Sequence, residues 1–154
     1  MQGPKNKIIS KTSVFPANKK EIFMRLQKLE TLQYVATPYA SFIPVDEKQP
    51  IEWKEGSSFS FHFYLFGIFP FGIHTIHVLA CSEELGISTR EYNKHVPVWN
   101  HRILLETIDE NTTRYTDEIE VGAGWKTFFV APWAKAFYAH RQRKWLKLLS
   151  TTQN

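Results

Sequence analysis

Four residues able to hold or move charge stand at positions that strand alternation turns to one side: His77, Glu91, His101 and Asp117. Opposite them, on a helix, stands Arg141. Two imidazoles beside two carboxylates can transfer protons, and a guanidinium can steady negative charge as it develops. On that reading His101, Asp117 and Glu91 are the candidate catalytic groups. The same side chains can instead form a structural network that neutralises Arg141. That reading outweighs catalysis, because ion-pair networks perturb charged groups without doing chemistry. Between the two lies the reading preferred here: the groups bind the polar end of a ligand.

Other chemically able residues carry less. His74 and His77 are three apart, and a strand turns them to opposite faces, so they make a poor metal pair. His62 falls opposite an apolar strand face and is expected outside. Cys81 has no neighbouring motif and reads as a small buried hydrophobe. The basic run Arg141, Arg143, Lys144 and Lys147 reads as a solvated helix face. No glycine-rich phosphate loop and no nucleophile elbow are present, and no metal or cofactor motif is found.

The element that must position Arg141 is a helix over about Lys126 to Leu149. Wound at 100° per residue, Val130, Ala134, Phe137, Tyr138, Trp145, Leu148 and Leu149 gather on one side. Lys135, Gln142, Arg143 and Lys147 fall mostly on the other. Arg141 projects from the apolar stripe, where a guanidinium must be paired or reach water. At about 1.5 Å per residue such a helix is roughly 36 Å long, the span of a small domain. Pro132 lies inside it and predicts either a kink or a helix that begins there.

The carboxylates and histidines need strands. Thr112 to Val121 sends Arg114, Glu118 and Glu120 outward, leaving Tyr115, Asp117, Ile119 and Val121 inside. Trp99 to Ile108 puts Trp99, His101, Ile103 and Leu105 inside, and Ile87 to Asn93 groups Ile87, Thr89 and Glu91. Ile73 to Cys81 groups Ile73, Thr75, His77 and Leu79, although Ile76, Val78 and Ala80 opposite are equally apolar. The clearest strand, Ser57 to Phe66, lines Phe59, Phe61, Phe63 and Leu65 on one face. Asn6 to Val14 and Tyr39 to Val45 complete seven strands. Between those two, Asn18 with Glu21 marks a helix start, and a short second turn covers Glu30 to Tyr34 until Pro38 stops it.

Turn residues at Glu83–Gly86 and Asp109–Asn111 favour antiparallel hairpins. The order strand, helices, six strands, long helix predicts an α+β domain whose sheet is covered by the final helix. At 154 residues, with no repeat or linker, residues 1–154 read as one domain. Aromatic residues make up 15% of the chain, so the interior is built from rings. No apolar run is long enough to span a membrane, and the first residues lack the apolar core of a signal peptide. A single cysteine forbids an internal disulfide and suits the reducing cytoplasm. A net charge of +4, spread along the chain, argues for neither nucleic acid nor stable membrane insertion.

These patterns also resemble a family. V-F-P-A-N-K-K-E-I-F (Val14 to Phe23), W-K-E-G (Trp53 to Gly56), F-G-I-F-P-F-G-I-H (Phe66 to His74) and T-R-Y-T-D-E-I-E-V (Thr113 to Val121) precede an aromatic, basic final helix. Nearly the whole chain resembles the START-like (SRPBCC) superfamily, which includes lipid-transfer domains and polyketide cyclases. The resemblance implies the helix-grip fold: a curved seven-stranded antiparallel sheet wrapped around a long C-terminal helix, with one or two short helices after the first strand. It implies a cavity for a small hydrophobic or amphipathic ligand between sheet and helix. The expected lining is Phe61, Phe63, His77, Glu91, Trp99, His101, Tyr115, Asp117, Trp133, Phe137 and Arg141.

Three functions follow as expectations. The first is binding, transport or sequestration of such a ligand. The second is a cyclase or dehydratase using His101 with Asp117 or Glu91, which requires a cavity that reaches His101. The third is a ligand-free interaction module, which a filled core would favour. Two local expectations accompany them. Arg141 contacts Asp117, Glu91 or His101, directly or through water, with Asp117 preferred. Phe69 or Phe71, in the glycine-bounded turn Gly67 to Gly72, lies at the cavity mouth.

Overall fold

The computed structural model describes residues 5–151. The chain runs β1 (Lys7–Phe15), α1 (Lys19–Leu26), α2 (Leu29–Ala36), β2 (Ala40–Pro44), β3 (Ser58–Leu65), β4 (Phe69–Ser82), β5 (Gly86–Tyr92), β6 (Val98–Asp109), β7 (Thr112–Gly122) and α3 (Thr127–Thr151). Its seven strands form one antiparallel sheet in the order β1-β7-β6-β5-β4-β3-β2. The chain closes the sheet's order by returning β7 to the side of β1, and α3 then packs on β1, β7 and α2. This is the α+β architecture that the element order predicts, in the helix-grip form that the family resemblance implies.

Local chemistry sets most boundaries. Asn18 caps α1 by accepting a hydrogen bond from the Glu21 backbone N–H at 2.9 Å. Alternation in β3 buries Phe59, Phe61 and Phe63 and leaves His62 in solvent. α3 begins at Thr127, whose hydroxyl accepts from the Ala123 N–H at 2.8 Å. The helix therefore does not begin at Pro132, which lies inside it. Proline removes the hydrogen bond to the Phe128 carbonyl, and both Phe128 and Pro132 are on the exposed side, where water can satisfy that carbonyl.

β4 takes the opposite phase to the one expected. His74, Ile76 and Val78 point inward, while Ile73 and Leu79 are exposed. The cause is its pairing with β3. Phe59 stands opposite Ile76, and Phe61 opposite His74. Cross-strand partners share a face, so the ring face of β3 decides the phase of a strand that is apolar on both sides.

Two clusters make up the core. One gathers Phe42, Phe59, Phe61, Phe63, Trp99 and Phe137 around the wide side of the sheet. The other centres on Phe15, stacked 4.6 Å from Tyr115 and 5.6 Å from Trp145, and includes Ile22 and Leu149. It pins α1 and the C-terminal half of α3 to the narrow side.

Candidate functional site

Between the sheet and α3 lies a cavity of about 240 Å³. Of the expected lining, Phe63, Glu91, Trp99, His101, Trp133, Phe137 and Arg141 border it. Four expected residues do not. Phe61 is sealed in the core against Phe42, and Tyr115 is sealed between Phe15 and Trp145. Asp117 is fully buried behind His101. His77 belongs to the outer face of β4, where its ring bonds Ser58 beside Tyr92. The β4 register puts His74 on the cavity in its place.

A continuous polar chain crosses the sheet behind and along the cavity wall. His74 Nε2 lies 2.7 Å from Glu91 Oε1. Glu91 Oε2 accepts from the Thr89 hydroxyl at 2.5 Å and lies 3.8 Å from His101 Nδ1. The other nitrogen of that ring, Nε2, is 2.7 Å from Asp117 Oδ1. Gln142 Nε2 then donates to Asp117 Oδ2 at 2.9 Å. Both imidazoles are thus backed by a carboxylate, on strands whose register brings diagonal neighbours into reach. Burial works to raise the Glu91 pKa, but the His74 hydrogen bond, the charge of both imidazoles and the Thr89 hydroxyl hold it below the ordinary value.

Arg141 does not meet Asp117, Glu91 or His101 directly. All four oxygens of the two carboxylates are already engaged by His74, Thr89, His101 and Gln142. Its side chain is 7% exposed, and among the described residues it forms no ion pair. Its Nε has no hydrogen-bond partner. The guanidinium carbon instead lies 5.2 Å from the Tyr138 ring centre and 5.6 Å from that of Phe137. Burial disfavours its charge, but the field of Tyr138, Asp117, Tyr115 and Glu91 more than compensates and raises its pKa. The site therefore holds a desolvated, charged fork that borders open space.

Several lining residues escaped the sequence reading. Tyr138 donates nothing to the cavity's polar chain but accepts from Trp99 Nε1 at 2.9 Å, locking two lining rings together. α2 contributes Thr31, Leu32 and Val35, which only helix spacing would have flagged as a buried face. Asn93 and Val96 come from the β5–β6 loop. At the start of β4, Phe71 lines the cavity against Phe63 and His95, whereas Phe69 is exposed. Among the described residues, no group of three or more His, Cys, Asp or Glu side chains is arranged to hold a metal ion. No helix among the described residues is long and apolar enough to cross a membrane.

Solved structures share this architecture. A START superfamily protein from Mycobacterium smegmatis superposes with a TM-score of 0.71 at 13% identity, over 96% of this chain and 99% of that one. Protein MLL2253 from Mesorhizobium loti gives 0.74 at 13% identity, over 96% and 100%. Protein Ms6760 from Mycobacterium smegmatis gives 0.70 at 15% identity, over 99% and 100%. At such identities the likeness is one of fold. No curated protein matches the sequence. Residues 13–149 match the family described as "Domain of unknown function (DUF8410)". The chain belongs to that family, and its fold is the START-like helix grip.

Proposed function

We propose that this domain binds a small amphipathic molecule, its apolar body among the rings and its polar end at Arg141. The observation that carries the reading is Arg141 itself. It is a buried cation beside a cavity, its Nε is unpartnered, and the nearby carboxylates are committed elsewhere. The surrounding field keeps it charged, yet a buried N–H donor without an acceptor is costly. A ligand that brings an anionic or strongly accepting group offsets that cost. The volume of about 240 Å³ lies below the roughly 300–1,000 Å³ of ordinary ligand pockets. It suits a compact ring or short chain rather than a two-tailed lipid. A fold family of carriers and binders supports the same reading by analogy. The single Cys81 fits work in a reducing cytoplasm.

The test is thermal shift against matched pairs, small aromatic and aliphatic carboxylic acids beside their methyl esters, with native mass spectrometry of protein from its own cells. Acids should raise the melting temperature, esters much less, and Arg141→Met should erase the difference. A clean apo mass, with no shift from any acid, would sink the reading.

A second reading is proton-transfer catalysis of the cyclase or dehydratase type. It is favoured by one observation: His74 and His101 both border the cavity, each with a carboxylate behind it. His101, oriented by Asp117, would move the proton, and Arg141 would hold the developing negative charge. Its mark would be turnover of a bound ligand that His101→Phe stops while binding persists.

A further inference from the structure

The antiparallel order brings the β3–β4 turn, the β5–β6 loop and the β7–α3 turn to one end of the sheet. Contacts join them. Phe71, near the start of β4, packs 4.5 Å from His95, and Val98 pairs with Gly122 at the mouths of the other two segments. That pairing sets the β5–β6 loop beside the β7–α3 turn, and the nearby ammonium groups of Lys94 and Lys126 add to the effect of partial burial in lowering the His95 pKa. Among the described residues, Phe129 is the cavity-lining residue that is also exposed, at 66%, so the cavity reaches the surface at this end.

This end is greasy as well as basic. Ile68 is 70% exposed, Trp125 68% and Phe128 79%, and Phe66 and Phe69 are exposed at the same end. So many exposed apolar side chains at one end mark a contact surface. Its charges have one sign. The three segments carry Lys94 and Lys126 and no carboxylate. At the opposite end charges of both signs mix: Glu83 and Glu84 stand beside Lys19, whose Nζ donates to the Glu84 carbonyl at 2.7 Å. The turns that carry lysine without a carboxylate coincide with the exposed rings and with the cavity mouth.

We infer that this end docks on the surface of an anionic lipid bilayer, with Trp125, Phe128 and Ile68 in the interface and Lys94 and Lys126 on the headgroups. Tryptophan and phenylalanine favour the bilayer interface, and lysines beside it gain from the negative surface potential. The exposed rings and the two lysines present the mouth to the membrane. An amphipathic ligand then passes between bilayer and cavity without crossing water. Docking is peripheral, and it does not depend on which ligand the cavity holds.

The experiment is sedimentation of the full chain with vesicles of phosphatidylcholine alone or mixed with phosphatidylglycerol. The protein should pellet with the mixed vesicles and be released by salt. Lys94→Gln with Lys126→Gln should lower the partition coefficient at least about tenfold. Ile68→Ser with Phe128→Ser should lower it as far, with the melting temperature of the free protein unchanged. Trp125 is the one exposed tryptophan of five, so a blue shift of emission on mixed vesicles should vanish in Trp125→Phe. No pelleting with either vesicle overturns the inference, as does pelleting that both double variants leave intact. A dimer that Phe128→Ser dissolves would assign the patch to a second copy of the chain and would also overturn it.

Discussion

Gln142 holds Asp117. Its Nε2 donates to Asp117 Oδ2 at 2.9 Å and to the Lys11 carbonyl at 2.8 Å, and its Oε1 accepts from the Ser13 hydroxyl at 2.5 Å. One amide thus ties α3 to β7 and β1, where the sheet would otherwise end in an open edge. It lies one residue past Arg141, on a part of the helix expected to face water, yet it is 1% exposed. The sheet curls around α3, so the buried arc is wider than the apolar stripe.

Gln142→Ala should therefore destabilise the fold without touching the cavity. It strips a partner from Asp117 and leaves buried polar groups unsatisfied, each worth about 1–3 kcal/mol. We expect a loss of about 2–4 kcal/mol in urea denaturation, with ligand-induced shifts preserved. A loss below about 0.5 kcal/mol, the range of ordinary surface changes, would contradict the anchoring role.

Arg141→Met should behave in the opposite way. The arginine has no direct acidic partner to strand, and the desolvation removed with its charge offsets part of the favourable field that is lost. The melting temperature should change little, while affinity for an acidic ligand falls by an order of magnitude or more. Arg141→Lys should recover little of that affinity, because lysine lacks the planar fork. A melting temperature that collapses in Arg141→Met would mean that the residue is structural.

An Arg141–Asp117 pair would make Arg141 the group that Asp117→Ala strands; the contacts make it His101 and Gln142 instead. We expect a cost of about 3 kcal/mol. Asp117→Asn should be milder, since an amide oxygen can still accept one of the two hydrogen bonds. Comparing both variants with His101→Phe in a double-mutant cycle would show a coupling near zero if the pair were independent.

Glu91 sets the acid limb. Its folded pKa is depressed below the ordinary 4.5 because, against the effect of burial, His74, His101 and Thr89 favour the carboxylate. A depressed carboxylate adds stability above its unfolded pKa, and that contribution disappears as pH falls through the folded value. Wild-type protein should therefore lose stability more steeply than Glu91→Gln as pH drops below about 4.5. Urea midpoints measured across that range check the sign; parallel curves would remove Glu91 from the account.

The sequence by itself determined the elements, the sheet class and most of the ring lining. β3 was legible because its rings alternate strictly with Ser58, Ser60 and His62. The inward set of β7 was legible because Arg114, Glu118 and Glu120 can only be outside, where Arg114 meets Glu106 and Glu118 meets Arg102. β4 was not, since both its faces are apolar; only Phe61 opposite His74 chose the histidine that borders the cavity. Nor did helix periodicity assign Asp117 to Gln142 rather than to Arg141. Those two side chains leave the helix about 100° apart. Which one reaches a carboxylate depends on how far the sheet wraps, and that curvature is a sum of strand twists and a bulge between Val78 and Ala80 that no local pattern encodes.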